Sequence, residues 1–268
     1  MKKNVKNIIL TGATGTIGGE IASKISDMSG YSLILVARNE ESLKILYDRY
    51  IAIDQRKNIR FEIANLSRRI HIINLAERIH EPVHALINNA AVAPHDRETT
   101  EDGLEMQFAV NIMSYFWMSL AFRPHLKKAG GGRIINISSY WAGDLDLDDL
   151  QFVKREYNNN VAYRQAKQAN RMLSSYFASL YGEDSISVNA CHPGDVGSKL
   201  SYNLGFAGSE SASKAAETPV WLATDEIGGS VSGRWFEYKN ECPCRFSTNR
   251  EEMEKLFNIC MGYSGGMV

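Results

Sequence analysis

Two side chains four residues apart, Tyr163 and Lys167, hold the strongest chemical signal in this sequence. On a helix that spacing puts both on one face, one turn apart. A phenol held beside an ammonium group is expected to have a lowered pKa. It can then give its proton to a carbonyl oxygen that is receiving a hydride. Tyr-x-x-x-Lys also arises on plain solvated helix faces. The pair therefore gains meaning only if the chain also supplies a hydride carrier, a donor for the carbonyl oxygen and a pocket.

A site for the carrier stands near the amino terminus. Ile8-Ile9-Leu10 runs into Thr11-Gly12-Ala13-Thr14-Gly15-Thr16-Ile17-Gly18, and Ile17, Ile21 and Ile25 then recur at every fourth residue. A glycine turn between strand and helix lets the backbone approach a ligand closely. The helix start offers free N–H groups and a positive dipole end to a pyrophosphate. A second strand, 31–37, ends at Arg38-Asn39. An acidic residue there would bind ribose hydroxyls, whereas arginine suits a 2′-phosphate, so NADP(H) is expected over NAD(H). The alternative is an arginine that only faces solvent.

The elements that must position these groups alternate regularly. Further strands are expected at 59–63, 83–87, 133–138, 186–190 and 234–238. Helices are expected at 40–50, after a Ser67 cap, at 101–129 and at 163–181, with a last one opened by a Thr248-x-x-Glu251 capping box. This order predicts a single α/β domain over 1–268: a Rossmann fold whose seven-stranded, mainly parallel sheet carries helices on both faces. Ligands in such sheets bind at the strands' carboxyl ends, where Gly12, Arg38, Asn65-Leu66, Asn89-Ala90-Ala91 and Ser139 all fall. Asn111 sits in the apolar stripe of the 101–129 region, either as a satisfied core amide or positioning a water or carbonyl at the site. His192 is read as a turn or structural residue, and Asp144 to Asp149 as a solvated acidic loop rather than a calcium site. Residues 199–213, with Tyr202, Leu204 and Phe206, form either a substrate lid or a plain surface loop.

Composition bounds the rest. The chain has 268 residues, 44% of them hydrophobic and 23% charged, with a net charge of −1. That gives no electrostatic case for nucleic acid or an anionic membrane surface. Met1 to Lys6 lead straight into the first strand without a signal-peptide core, and no run reaches the roughly 18 apolar residues of a membrane span. The four cysteines, Cys191, Cys242, Cys244 and Cys260, are read as reduced structural thiols. A cytoplasmic protein without a membrane anchor or metal is expected.

The glycine turn, Asn88-Asn89-Ala90-Ala91, Asn111, Ser139, Tyr163-x-x-x-Lys167 and Pro193-Gly194 occur in an order that resembles the short-chain dehydrogenase/reductase superfamily over nearly the whole chain. Glu101-Asp102-Gly103-Leu104-Glu105, the long interval between Ser139 and Tyr163, and Ser232-Gly233-Arg234-Trp235-Phe236 are similar to its retinol dehydrogenase and carbonyl reductase branch. The resemblance implies a catalytic tetrad. Tyr163 would be the acid or base, with Lys167 lowering its pKa and holding the nicotinamide ribose. Ser139 would bind the substrate oxygen, and Asn111 would sustain a proton relay through a water. It further implies that Pro193, Gly194, Val196 and Ser198 pack the nicotinamide, with Ser198 where threonine is usual. Thr16 stands where the family has glycine, Asn65 replaces an aspartate at the adenine, and Ala91 replaces a glycine.

The expected activity is NADP(H)-dependent interconversion of a ketone or aldehyde and an alcohol. Val92, Ala93, Pro94, Tyr140, Trp141, Tyr202 and Phe206 are expected to line a lipophilic substrate pocket, with the 140–162 insert as one wall. The alternatives are a catalytically silent NADP(H)-sensing protein and, from the Gly12-x-x-Gly15-x-x-Gly18 pattern, a nucleotide-sugar epimerase or dehydratase. The resemblance also allows a homodimer or homotetramer built through the helices around Asn111 and Tyr163.

Overall fold

A computed structural model describes residues 5–54 and 58–267; Met1 to Asn4, part of the lead-in read above, lie outside the described residues. The chain runs β1 (Lys6–Thr11), α1 (Thr16–Ser26), β2 (Tyr31–Ala37), α2 (Glu40–Ile53), β3 (Ile59–Ile63), α3 (Arg69–Arg78) and β4 (Ala85–Asn88). A π-helical segment (Phe108–Met113) leads into α4 (Ser114–Lys128), then β5 (Arg133–Ile137), α5 (Asn159–Tyr181) and β6 (Ser187–His192). The short helices α6 (Lys199–Asn203), α7 (Ala212–Ala215), α8 (Glu217–Thr224) and α9 (Ile227–Ser230) precede β7 (Trp235–Glu237), β8 (Asn240–Cys242) and α10 (Arg250–Gly262).

One sheet of eight strands is ordered β3-β2-β1-β4-β5-β6-β7-β8. All neighbours pair in parallel except β7 and β8, which are antiparallel. Strand order reverses between β1 and β4, the place where such sheets open a crevice at their carboxyl ends. Alternate strand residues feed two cores. Ile9, Ile34, Val36, Leu86 and Ile134 pack with residues of α3, α4, α5 and α10, while Ile8, Leu10, Leu35, Ile87 and Ile135 pack with α1, α2 and α8.

The seven expected strands are present, and β8 is an eighth. It is only three residues long and mostly exposed, so it carries no apolar pattern. Its hairpin turn places Tyr238 (φ 50) and Lys239 (φ 64) in left-handed backbone without the glycine or asparagine that usually marks such a turn.

Four helix starts differ from expectation, α5 among them with Asn158 as its cap, each because another side chain takes over the free N–H groups. The 101–129 region becomes helical only at residue 106. The buried Glu105 carboxylate accepts the N–H groups of Gln107 (2.8 Å) and Phe108 (2.6 Å), capping the helix. Ser67 does not cap α3, since its hydroxyl donates to Asn65 and Asp102 instead accepts the Arg69 N–H at 3.0 Å. Asn249, not Thr248, caps α10 by accepting the Glu252 N–H at 3.2 Å.

The acidic run is a loop with Asp144 and Asp148 exposed, as expected, but Asp149 is buried. Burial alone would raise the Asp149 pKa, but N–H donors from Val153, Lys154 and Arg155 outweigh it and hold the carboxyl below its ordinary value. Arg155 also pairs with Asp146 and Asp149, Arg164 with Asp144, and Lys255 with Asp148. Leu145, Leu147 and Leu150 of the same insert turn into the core beside α5 and α10.

Candidate active site

The glycine turn is shaped by close approach. Gly12 has φ +64, and a Cβ there would lie 2.7 Å from the Ala90 Cα. A Cβ on Gly18 would lie 2.2 Å from the Gly12 carbonyl oxygen. Asn89 locks the turn to β4: its Nδ2 donates to the carbonyls of Thr11 (2.9 Å) and Gly12 (3.2 Å). The Thr11 hydroxyl in return accepts the N–H groups of Asn89 and Ala90. No side chain of the described residues caps α1 at Gly15, so its first N–H groups face the crevice.

A cavity of about 520 Å³ extends from this turn. Its wall includes Gly12, Thr14, Gly15, Thr16, Ile17, Gly18, Arg38, Asn65, Leu66, Asn89, Ala90, Ala91, Ser139, Tyr163, Lys167, Pro193, Gly194, Val196 and Ser198. The structure thus brings the expected residues to one surface, with two exceptions. Asn39 caps α2 by accepting the Ser42 N–H at 2.7 Å. Asn111 sits behind the wall, where Val110 lines the cavity. The Asn111 amide accepts from the Val92 N–H and donates to the Val92 carbonyl, both at 2.8 Å, and to Gln107 at 3.1 Å. Asn111 is thus a satisfied buried amide, and the same bonds pin Val92 in the loop after β4 from inside a π-helical turn.

Tyr163 and Lys167 share one face of α5, whose start is capped by Asn158. Both are buried. Lys167 Nζ donates to the Ile137 carbonyl at 2.8 Å and lies 5.4 Å from the centroid of the Tyr163 ring. Burial pulls its pKa down to about 7. Burial also pushes the Tyr163 phenol well above its ordinary value, with the hydrogen bond to Ser139 acting in the opposite direction. The lowered phenol pKa expected from the Tyr–Lys spacing is therefore not what the fold produces. The ammonium is itself desolvated and turned to a carbonyl, so loss of hydration dominates both groups.

Residues 195–210 are tied to one another and to their surroundings by hydrogen bonds. The Asp195 carbonyl accepts the N–H groups of both Ser209 and Glu210 at 2.8 Å. Asn203 donates to the Ala93 carbonyl (3.0 Å) and accepts through its own carbonyl from Asn159 (2.8 Å). Tyr163 packs with Ala93 and Leu204, flanked by Trp141, Leu200 and Phe206. Trp141 and Phe206 meet edge to face with centroids 5.5 Å apart. Tyr202, expected in the pocket, is 62% exposed; Leu200, two residues earlier on α6 and so on the opposite side of the helix, takes the inward place. Residues 144–157 of the 140–162 insert are absent from the cavity wall because they pack against α5 and α10; only the start of the insert, at Trp141, packs beside Tyr163.

Ser138 and Glu210 were not singled out from sequence, and His192, read as a turn or structural residue, also reaches the site. Ser138 donates to the Lys167 carbonyl at 2.6 Å, and Glu210 accepts the Asp195 N–H at 3.0 Å, fixing the turn after Pro193. His192 lines the cavity, buried between the rings of Tyr140 (4.7 Å) and Tyr238 (6.0 Å), and its two ring nitrogens have no partner among the described residues. Its position at the end of β6, beside the Pro193-Gly194 turn, was the one signal pointing to it. Among the described residues there is no cluster suited to a metal ion, and no helix is long and apolar enough to cross a membrane.

Comparison with known proteins agrees with this geometry. The chain is 32% identical to retinol dehydrogenase 13 of Homo sapiens, an alignment covering 94% of this chain and 82% of that protein. It is 28% identical to dehydrogenase/reductase SDR family member 12 of Homo sapiens, over 94% and 84% of the two chains. Among solved structures it is similar to an uncharacterised protein of Mycobacterium paratuberculosis (TM-score 0.80, 19% identity, 97% of this chain and 93% of that one). It is likewise similar to an NADPH-bound carbonyl reductase from chicken fatty liver (TM-score 0.69, 21% identity, 90% and 99%). Residues 6–205, which span the glycine turn, Ser139, Tyr163 and Lys167, match the family model described as short chain dehydrogenase, and the chain belongs to that family of oxidoreductases.

Proposed function

We propose that this protein is an NADP(H)-dependent oxidoreductase interconverting a ketone or aldehyde and an alcohol, with Tyr163 as acid and base. The observation that carries this is the meeting, on one cavity of about 520 Å³, of a glycine turn at a helix start with Ser139, Tyr163 and Lys167. The residues fit a dinucleotide. Side chains on Gly12 or Gly18 would fill the cradle, and Arg38 stands exposed at the rim where a 2′-phosphate would lie. Lys167, Pro193, Gly194, Val196 and Ser198 would hold the nicotinamide end.

Bound nicotinamide dinucleotide supplies or takes up the hydride. The protein moves the proton and receives the charge. Tyr163 gives its phenolic proton to the carbonyl oxygen as negative charge develops there, and takes it back in the reverse direction. Ser139 donates a hydrogen bond to the same oxygen. Lys167 stabilises the phenolate that Tyr163 leaves. Trp141, Leu200, Leu204 and Phe206 give the substrate an apolar enclosure, which favours lipophilic carbonyl compounds.

The test is NADPH oxidation by the purified chain against a panel of ketones and aldehydes, with the corresponding alcohols and NADP for the reverse reaction. Turnover of apolar carbonyls is expected. Tight NADPH binding with no turnover in either direction would replace this reading with that of a silent cofactor sensor.

A further inference from the structure

Arg171 lies on α5 one turn beyond Lys167, so that Tyr163, Lys167 and Arg171 form one stripe. It is only 7% exposed, an uncommon position for a guanidinium. The groups that hold it are close to the site. Its Nη2 donates to the Ser139 carbonyl at 2.5 Å. Its guanidinium carbon lies 3.4 Å from the centroid of the Trp235 ring and 5.5 Å from that of Phe246. The Cys244 side chain lies close to it. Trp235 belongs to β7, and Cys244 and Phe246 follow β8. One side chain thus ties the outer hairpin of the sheet to the residue that follows β5 and Ser138.

The backbone at Ser139 needs such a tie. The neighbouring Ser138 N–H donates to the Cys191 carbonyl at 2.8 Å, and beyond it the ladder ends. The Ser139 carbonyl otherwise accepts only a long turn bond, 3.3 Å, from the Ala142 N–H among the described residues. The bond from Arg171 is shorter and charge-assisted, hence the stronger of the two. A guanidinium can lie flat on an indole and donate from its edge at the same time, which an ammonium cannot.

We propose that Arg171 is a positioning residue: by gripping the Ser139 main-chain carbonyl from a platform on Trp235, it holds the Ser139 hydroxyl against Tyr163. This rests on the oxidoreductase reading above, in which Ser139 binds the reacting oxygen. Without the grip the peptide plane after Ser139 tips and carries the side chain with it, and a displacement of about 1 Å at such a site can cost on the order of 100-fold in rate.

The decisive experiment is a double-mutant cycle in the full chain, reading kcat, KM and NADPH Kd. Arg171→Met, which keeps the apolar stem, is expected to lower kcat by about 100-fold while NADPH Kd stays unchanged. Arg171→Lys is expected to recover part of the loss. In a Ser139→Ala background Arg171→Met should cost nothing further, because its effect runs through Ser139. Multiplying losses in that background, or a loss confined to NADPH affinity, would overturn the proposal. A second measurement is independent of turnover: amide exchange over 139–143 should quicken in Arg171→Met while that of the remainder of α5 is unchanged. Unchanged exchange over 139–143 would also overturn it. A wild-type chain inert toward every carbonyl counts against the oxidoreductase reading, and the exchange measurement still decides the role of Arg171.

Discussion

Lys167 is buried to about 1% exposure and its pKa is drawn down to about 7, so its protonation depends on whether the chain is folded. Between pH 7 and its ordinary value of 10.5 the unfolded chain keeps a proton on this lysine that the folded chain has released. Stability therefore gains a contribution that grows as pH rises through that window. Urea midpoints at pH 7 and pH 9 should show this, and Lys167→Met should flatten the difference; an equally steep rise in the variant would refute the assignment. Tyr163→Phe keeps the buried ring and removes only the hydroxyl. It should reduce turnover by at least the ~100-fold typical of general acid catalysis, with NADPH affinity retained. Arg38→Ala should raise the KM for NADPH more than that for NADH; a wild-type preference for NADH would reverse the cofactor assignment. Burial raises the phenol's pKa, against the direction expected from the Tyr163–Lys167 spacing. Helical spacing brings two groups to one face, but it says nothing about how much water they keep.

Elements show where local pattern was sufficient and where it was not. Strand cores and the glycine turn were legible because burial on both faces produces continuous apolar runs, and because close backbone approach admits only glycine. Gly18→Ala tests the second point. The added Cβ would meet the Gly12 carbonyl oxygen at 2.2 Å, so the turn must open. A stability loss of about 1–3 kcal/mol and a weaker NADPH Kd are expected, read by urea denaturation and cofactor fluorescence. Helix starts were less legible, because the capping groups Glu105 and Asp102 precede or lie far along the chain from the N–H groups they accept. Burial of Asp149 within the acidic run was not legible for a related reason. Its carboxylates find arginine and backbone partners only after the insert folds back on itself.

At the scale of the whole molecule, the outer face formed by α4 and α5 is covered by the chain's own carboxyl-terminal helix. Phe257 of α10 meets Phe116 (5.1 Å), Tyr176 (4.7 Å) and Phe177 (5.5 Å), and Leu145 and Leu147 of the insert join the same core. Dimers built through the helices around Asn111 and Tyr163 would have to displace this packing. A single-chain mass is therefore expected in light-scattering chromatography; a stable dimer would mean that another surface pairs. Phe257→Ala should lower stability by roughly 3 kcal/mol, the low end for a core aromatic because the ring is only partly buried.

Sequence alone brought out the strand–helix alternation, the glycine cradle and the Tyr163–Lys167 pair proposed for acid–base chemistry. These depend on periodicity, on backbone freedom and on functional-group type, all of which are local. Tertiary structure decided what surrounds them. It sends Tyr202 outward and Leu200 inward, turns the Asn111 amide to Val92, and withdraws the 144–157 insert from the cavity to cover α5. It also brings Arg171 under Ser139, 32 positions away in the chain. Such pairings depend on which distant surfaces meet, and no spacing within a single segment encodes them.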